Sequence, residues 1–256
     1  MIAQLTTVRL LALRGLNEIV RVPGAAIPSL LAPTIFLLGF VSIFGNLARL
    51  PGYSSEDFVS FVLPVMMLQG AGFTGAATGV NLARDIEQGW FDRLLASPAP
   101  RPVLLAGMIA SASVRALLPT TLLLAVAFAI GADYPGVLGL VVALVFVAAF
   151  AALAAAWGIV LALRFKTQSA APLMQAVMFM AVMFTTSYAP LELLSGWLRA
   201  VATLNPVTRV VEAVRQGFVS GEVSWALTWP GLVAAGAMGA VLVALALRGM
   251  ASSGRE

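Results

Sequence analysis

The sequence has 256 residues, of which 61% are hydrophobic and only 10% charged, and its mean hydropathy is +0.98, so it is not an ordinary soluble domain. Zero Cys and zero His exclude disulfides, thiol chemistry, Cys or His metal sites and histidine general bases. The net charge of +4 comes from arginines scattered between apolar segments, without the basic run of a nucleic-acid surface. The chain is therefore predicted to be an all-α polytopic membrane protein that binds neither nucleic acid nor metal.

Residues 1–22 are predicted to form an amphipathic helix that lies at the membrane interface. Arg9, Arg14 and Arg21 interrupt the apolar residues at intervals that forbid a continuous span. The segment also lacks the short apolar core and cleavage site of a signal peptide. Its polar face is either solvated or in contact with a partner.

Six apolar segments are long enough to cross a hydrocarbon core of about 30 Å. The predicted spans are 27–45, 58–82, 102–131, 137–163, 170–188 and 230–247. The second contains Pro64, which is expected to kink it. The third contains Arg115, which is costly in a membrane and therefore either anchors the structure or serves transport.

Small residues recur every four positions in two of these spans. Ala71, Gly75 and Gly79 lie in the second, and Gly231, Ala235 and Gly239 lie in the last. This spacing lets two helices approach closely. The partner helix is predicted to belong either to the same chain or to a second copy.

The fifth span is rich in methionine, with four of the ten in the chain. They are Met174, Met178, Met180 and Met183. Methionine adapts to differently shaped apolar partners, and it also fills gaps in protein cores. The stripe therefore either lines a cavity or packs in the interior.

Residues 84–101 form a charged segment between the second and third spans, and a helix is predicted over about 84–97. A second polar region separates the fifth and sixth spans, where Asn205 and Pro206 are the N-cap and first residue of an amphipathic helix. Its polar face carries Arg209, Glu212 and Arg215. That helix is too charged to span and is expected to pack at the interface or dip into the protein.

Positive charges are concentrated on one side of the predicted topology. With six spans, that side carries both termini and Arg9, Arg14, Arg21, Arg84, Arg93, Arg101, Arg164, Lys166, Arg248 and Arg255, and the other carries Arg49, Arg199, Arg209 and Arg215. The positive-inside rule places both termini and the charged segment in the cytoplasm. The preference for Arg and Ala is typical of a bacterial protein, so the predicted location is the bacterial plasma membrane.

The residues needed for energy coupling within this chain are missing. Its single lysine, Lys166, follows Phe165 and is not part of a Walker A loop. No acidic residue lies in the six predicted spans to carry a coupling proton, and no base lies near a nucleophile for hydrolysis. The chain is therefore predicted to form a membrane pathway that takes its energy from another protein.

Three features together resemble the ABC-2 type permease family, specifically the daunorubicin-resistance-like branch of ABC exporter membrane subunits. One is Glu87-x-Gly89-x-x-Asp92-Arg93-Leu94-Leu95-Ala96-Ser97-Pro98, with Arg101 after it. Another is Leu204-Asn205-Pro206-Val207-Thr208 followed by Val211-Glu212-Ala213-Val214-Arg215. The third is the order of an interfacial helix and six spans, so the resemblance covers nearly the whole chain.

The resemblance implies that the charged segment is a coupling helix seated in a cleft of a separate ATP-binding subunit. ATP and Mg²⁺ would bind that subunit, and this chain would hold no cofactor and no catalytic residue. Two permease subunits would pair as a homodimer or heterodimer among membrane lipids, with the N-terminal helix near the ATPase. The residues implied to contact the ATPase are Glu87, Trp90, Phe91, Asp92, Arg93, Leu94 and Leu95. The residues implied to form the extracellular re-entrant helix are Asn205, Pro206, Arg209, Glu212 and Arg215.

The resemblance also implies a substrate path between the two copies, near the second and fifth spans. Its candidate residues are Phe73, Met174, Met178 and Phe179. The implied function is ATP-driven export of amphipathic drugs or lipids, which includes multidrug efflux. One alternative is export of a polysaccharide or lipid-linked glycan, which aromatic residues rather than Met along the path would favour. The other is a membrane scaffold that moves no solute.

Overall fold

The computed structural model describes residues 23–45, 58–96 and 99–252, with side chains from Leu31 onward in the first range. The predicted interfacial helix at 1–22 and the loop at 46–57 lie outside the described residues. Helices in the described parts are α1 (Pro23–Phe44), α2 (Phe58–Glu87), α3 (Trp90–Leu95), α4 (Arg101–Ala129), α5 (Gly136–Phe165), α6 (Ala171–Met183), α7 (Gly196–Leu204), α8 (Pro206–Ser220) and α9 (Trp225–Ser252). The 3₁₀ turns Gln168–Ala170 and Leu191–Leu193 precede α6 and α7. The described chain is all-helical, as predicted, and has no strand.

Helix α2 lies at the centre of the helical bundle. Every residue from Phe58 to Gly72 is buried, including Ser60 and Gln69. Helices α1, α4, α5, α6 and α8 all pack against it. Pro64 lies inside this continuous helix. Any movement of α2 would therefore change its packing against these five helices.

Helices α2 and α5 approach each other along small residues. A Cβ atom at Gly79 would overlap the backbone of Gly158, and one at Gly75 would overlap Ala151 and lie 2.6 Å from the Ala154 Cβ. Helices can come this close only where no side chain separates them. The spacing of Ala71, Gly75 and Gly79 thus reflects packing within the chain, which was one of the two predicted alternatives.

Four helices in the described residues, α2, α4, α5 and α9, are long and apolar enough to cross a membrane. Two shorter apolar helices, Leu31–Phe44 and Gln168–Met183, accompany them. Several apolar helices agree with a polytopic membrane protein, while the predicted number of six spans stays a prediction. The fifth predicted span, 170–188, is longer than its α-helix, which begins at Ala171 and ends at Met183.

Side-chain hydrogen bonds explain why α6 ends at Met183. The Thr185 and Ser187 hydroxyls donate to the carbonyl of Val182, at 2.7 and 2.5 Å. The carbonyl of Ala181 accepts a hydrogen bond from the Asn205 side chain at 2.8 Å. Carbonyls in the last turn of a helix need such partners, and hydroxyl and amide side chains supply them without continuing the helix. Apolar composition alone does not reveal this early end.

The two ends of the bundle are named here after the two ends of α2. At the Phe58 end, the backbone N–H of Asp133 donates to Ser60 Oγ at 2.8 Å, which places the turn between α4 and α5 there. Helix α8 also lies at this end, since Arg215 of α8 contacts Phe61, and α7 leads directly into α8 through Asn205. The Phe58 end carries a set of exposed aromatic residues typical of a membrane interface. They are Tyr134, Trp197, Trp225 and Trp229.

Candidate functional site

Gly89 divides the predicted coupling helix into two pieces. Helix α2 continues to Glu87, so residues 84–87 belong to it, and α3 covers only Trp90–Leu95. Gly89 has φ 71°, in the left-handed region that favours glycine. Its N–H donates to the carbonyl of Ile86 at 3.0 Å. The prediction of one helix over 84–97 was therefore wrong, because this glycine ends α2 and turns the chain into α3.

Helix α3 has one buried face and one exposed face. Phe91 is only 3% exposed and belongs to the core. Leu94 and Leu95 are half-buried and pack against the same core. Phe91 therefore holds α3 against the bundle, and its side chain is not available on the surface of this chain.

The exposed face of α3 consists of Trp90, Asp92 and Arg93. Trp90 is 56% exposed, and both charged residues are exposed. The Arg93 guanidinium lies 5.0 Å from the centre of the Trp90 ring, within the range of a cation–π interaction. The result is a small surface that combines a large aromatic ring with one positive and one negative charge.

The Glu87 carboxylate bonds to the segment between α5 and α6. Oε1 accepts hydrogen bonds from Thr167 Oγ1 at 2.8 Å and from the backbone N–H of Gln168 at 3.0 Å, and Oε2 accepts one from Gln168 Nε2 at 2.6 Å. These bonds, that from the Gln168 side chain foremost, hold the pKa of Glu87 below its usual value. We call Glu87, Thr167 and Gln168 the Glu87 junction. Thr167 and Gln168 were not among the site residues predicted from the sequence.

The four predicted path residues lie at the contact between α2 and α6. The rings of Phe73 and Phe179 are stacked, with centroids 6.4 Å apart and planes 5° from parallel. Met174 is fully buried and Met178 is 8% exposed. The structure thus brings all four together, but in this chain the two phenylalanines are more accessible than the two methionines.

Further aromatic rings extend from this contact along α1. The Phe36 ring lies 6.5 Å from Phe179 and 6.2 Å from Phe40, whose ring is 4.5 Å from that of Tyr188. These separations are typical of interacting aromatic pairs. A row of rings therefore runs from Phe73 to Tyr188, beside the point where α6 ends.

Asn205 connects α8 to the end of α6. Its Oδ1 accepts a hydrogen bond from the Val207 N–H at 3.0 Å, as an N-cap does, and Pro206 follows as the first helical residue. Its Nδ2 donates to the carbonyls of Ala181 at 2.8 Å and Phe184 at 2.9 Å. The predicted N-cap is confirmed. The Asn205 amide group makes hydrogen bonds both at the start of α8 and at the end of α6.

Replacing Asn205 by Ala is expected to destabilise the folded chain by about 1 kcal/mol for the lost cap and by about 1–3 kcal/mol more for the carbonyls that lose a donor. Asn205→Asp keeps the cap acceptor and removes the donor, so it should lose only the second part. Thermal unfolding of the purified protein in detergent measures both variants. Equal stability of Asn205→Asp and wild type would show that the Nδ2 bonds contribute nothing.

Arg215 is buried, contrary to its predicted position on the polar face of α8. It is 7% exposed, whereas Arg209 is exposed and pairs with Glu212 at 2.9 Å. A buried arginine is stable only when its donors are bonded. The sequence signal is its spacing, because Val207, Val211 and Arg215 follow each other by four residues on the apolar stripe.

Arg215 bonds to two other elements at the Phe58 end. Its Nε donates to the Phe61 carbonyl at 3.1 Å, and one terminal nitrogen donates to the Thr186 carbonyl at 2.6 Å. Its guanidinium also lies 3.9 Å from the centre of the Phe61 ring. Arg215 thus joins α8 to α2 and to the bend that follows α6.

Arg115 lies between α4 and α2, in the interior of the bundle. It is 6% exposed and donates a hydrogen bond to Thr78 Oγ1 at 2.6 Å. Its position in an apolar span predicted either anchoring or a role in transport for this residue. The bond to Thr78 is an anchoring contact between two helices, and it leaves a transport role untested.

Comparison with known proteins gives a consistent family. Residues 6–219 match the family described as ABC-2 type transporter. The chain is 29% identical over 199 residues to the "Daunorubicin resistance ABC transporter permease protein DrrB1" of Streptomyces coeruleorubidus, covering 76% of this chain and 68% of that protein. It is 26% identical over 223 residues to the "Probable doxorubicin resistance ABC transporter permease protein DrrC" of Mycobacterium tuberculosis, covering 85% and 76%. It is 25% identical over 196 residues to the "Probable multidrug ABC transporter permease YbhR" of Escherichia coli K12, covering 74% and 52%.

Proposed function

The chain belongs to the ABC-2 type transporter family, and from that premise we propose that it is the membrane permease subunit of an exporter whose ATP is hydrolysed by a separate subunit. It contributes a pathway and a contact surface, and no catalytic residue. ATP and Mg²⁺ bind the ATP-binding subunit. A second permease subunit, identical or different, completes the pathway in the plasma membrane.

The observation that carries the proposal is the exposed face of α3. Trp90, Asp92 and Arg93 lie on a short helix that Phe91 anchors in the core. An exposed tryptophan beside an arginine is the kind of group that anchors a protein interface. Because α3 follows directly from α2, a partner that pushes on this face moves the central helix of the bundle. Positive side chains, those of Arg84, Arg93 and Arg164, favour a cytoplasmic location for this end.

Amphipathic drugs are the first proposed substrate class, and lipids the second. The names of the relatives cite daunorubicin, doxorubicin and multidrug transport, which supports a drug substrate. The stacked Phe73 and Phe179 rings are suited to a substrate with a flat apolar part. Met174 and Met178 are buried on the helix that carries Phe179, and Met178 packs close to Gly72 of α2.

Export of a polysaccharide or lipid-linked glycan is the second candidate function. The row of rings from Phe73 to Tyr188 favours it, because aromatic residues along the path were the feature expected of a glycan exporter. The two candidates differ in which compound stimulates ATP hydrolysis by the purified complex. Stimulation by an anthracycline supports the drug exporter, and stimulation only by glycan or lipid-linked glycan supports the alternative.

We expect the chain, purified from its native host in mild detergent, to retain an ATP-binding subunit in fixed stoichiometry. In vesicles containing this complex, Arg93→Ala should reduce anthracycline transport per ATP hydrolysed by about fivefold or more, in the range of typical coupling between sites. The reason is the loss of the guanidinium that stacks on Trp90 at the exposed face of α3.

Arg199→Ala is the matched control, because Arg199 is an exposed arginine on α7 at the opposite end of the bundle. This variant should transport like wild type. Normal transport by Arg93→Ala would show that the exposed face of α3 does not couple ATP hydrolysis to transport. Absence of any ATP-binding subunit from the purified chain would favour a scaffold that moves no solute.

A further inference from the structure

The Glu87 junction connects parts of the chain that are distant in sequence. Glu87 is the last residue of α2, and its partners Thr167 and Gln168 lie between α5 and α6. Both carboxylate oxygens accept hydrogen bonds, and Oε1 accepts two of them. Charge-assisted bonds of this kind are roughly twice as strong as neutral ones. The Glu87 carboxylate is solvent-accessible, but its hydrogen bonds are made to residues of the same chain.

The segment that Glu87 binds is itself ordered by local bonds. Lys166 ends α5 with φ 53°, a left-handed conformation that is uncommon for a residue with a Cβ atom. Thr167 Oγ1 accepts a hydrogen bond from the Ser169 N–H at 3.3 Å, at the start of the 3₁₀ turn. The Thr167 hydroxyl thus links the turn before α6 to the end of α2.

The Glu87 junction joins the end of α2 to the connection between α5 and α6. Helices α2 and α5 are already in backbone contact at Gly79 and Gly158, so they behave as one unit. Helix α6 follows α5 through residues 166–170, and this connection is where Glu87 binds. The junction therefore adds α6, which carries Met174, Met178 and Phe179, to the unit that α3 would move.

We propose that Glu87 is a positioning residue that fixes α6 to the end of α2, so that a displacement of α3 reaches both sides of the Phe73–Phe179 contact. The proposal rests on the proposed function. It differs from the expectation that Glu87 contacts the ATP-binding subunit, since here the Glu87 carboxylate acts within this chain.

The test exchanges the two side chains of the shortest contact in the junction. Gln168→Glu places a second carboxylate against Glu87 and should reduce transport per ATP hydrolysed by about fivefold or more. Adding Glu87→Gln to this variant restores a complementary pair, because the new amide at position 87 can donate to the new carboxylate at position 168. The oxygen of that amide can still accept from Thr167 and from the backbone. The double variant should recover to within about twofold of wild type.

The matched control for the added charge is Ala251→Glu, because Ala251 is exposed near the end of α9, where Gly249 packs against Leu163 of α5 at the Glu87 end of the bundle. It introduces the same carboxylate at the same end of the bundle, outside the Glu87 junction and outside the charged segment at 84–101. Transport by this variant should equal that of wild type. A loss as large as that of Gln168→Glu would mean that added negative charge alone lowers transport, and this would overturn the proposal.

A second measurement reports on the junction without requiring transport. The N–H of Gln168 is bonded to Glu87 Oε1, so its hydrogen exchange in the purified protein should be slow and should accelerate in Glu87→Ala. Exchange at the same amide should be unchanged in Glu222→Gln, an exposed acid at the other end of the bundle.

The outcomes separate this proposal from the proposed function. If the double variant transports as poorly as Gln168→Glu while wild type transports normally, Glu87 acts through its own charge on another protein, and the positioning role is overturned. Unchanged exchange at Gln168 in Glu87→Ala overturns it as well. If the wild-type complex shows no ATP-dependent transport, the proposed function fails, and this proposal fails with it whatever the exchange rates.

Discussion

Gly79→Ala is expected to destabilise the folded chain by about 3 kcal/mol, at the upper end of the cost of adding a methyl group to a packed core. The added Cβ would overlap the backbone of Gly158, which cannot rotate away as a side chain would. The same contact seen from α5 leaves only 3.0 Å between a Cβ at Gly158 and the Cα of Gly79. The two helices must therefore separate, and every side chain along their contact loses packing.

Thermal or denaturant unfolding of the purified protein in detergent measures this effect. Gly236→Ala is the matched control, since Gly236 lies in α9 and a Cβ there meets nothing within 4 Å. That variant should equal wild type or gain up to about 1 kcal/mol, because Ala is the better helix former. A Gly79→Ala protein as stable as the control would mean that α2 and α5 are not in backbone contact.

The spacing of small residues predicted close helix packing correctly but could not identify the partner. Ala71, Gly75 and Gly79 would look the same in a dimer contact as in an internal one. The partner residues lie in an Ala-rich helix where Ala154, Gly158 and Ala162 repeat the same four-residue spacing, and nothing local in the sequence pairs this set with that of α2. Only the fold brings the two sets together, because α3 and the whole of α4 separate them in the chain.

The charged segment shows the same limit for the candidate site. Its position between two apolar helices is a local feature that is readable from the sequence, and Gly89 is a local turn signal that the prediction of one helix over 84–97 missed. The role of Glu87 is not local, because the bonds to Thr167 and Gln168 cross 80 and 81 positions. The resemblance to a family suggested a contact with another protein for this carboxylate, and the structure shows it bonded within the chain.

The end of α6 illustrates how polar side chains override an apolar pattern. Residues 170–188 are uncharged and were predicted as one span. Thr185 and Ser187 bond to the last turn of α6, and Asn205 reaches it from the start of α8. Hydropathy treats these hydroxyls as nearly neutral, whereas their geometry decides where the helix stops.

Arg215→Met is expected to destabilise the protein by about 1–3 kcal/mol for each buried carbonyl that loses its donor. The carbonyls of Phe61 and Thr186 are the two with the shorter bonds, at 3.1 and 2.6 Å. Methionine is a long, flexible apolar side chain, so the variant largely preserves packing and removes the donors and the charge. Unfolding of the purified protein gives the free-energy difference.

The matched control is Arg209→Met, the same substitution on the exposed face of α8. The difference in stability between the two variants measures the effect of burying the arginine. Arg209 is 53% exposed and pairs with Glu212, which is worth at most about 1 kcal/mol. Arg215→Lys should be intermediate, because one ammonium group keeps the charge but cannot reproduce the planar fork that reaches both α2 and the bend after α6. If Arg215→Met is no less stable than Arg209→Met, the buried guanidinium does not hold α8 in place. A large difference between the two would instead make Arg215 the link through which the end of α6 and the start of α2 keep their spacing.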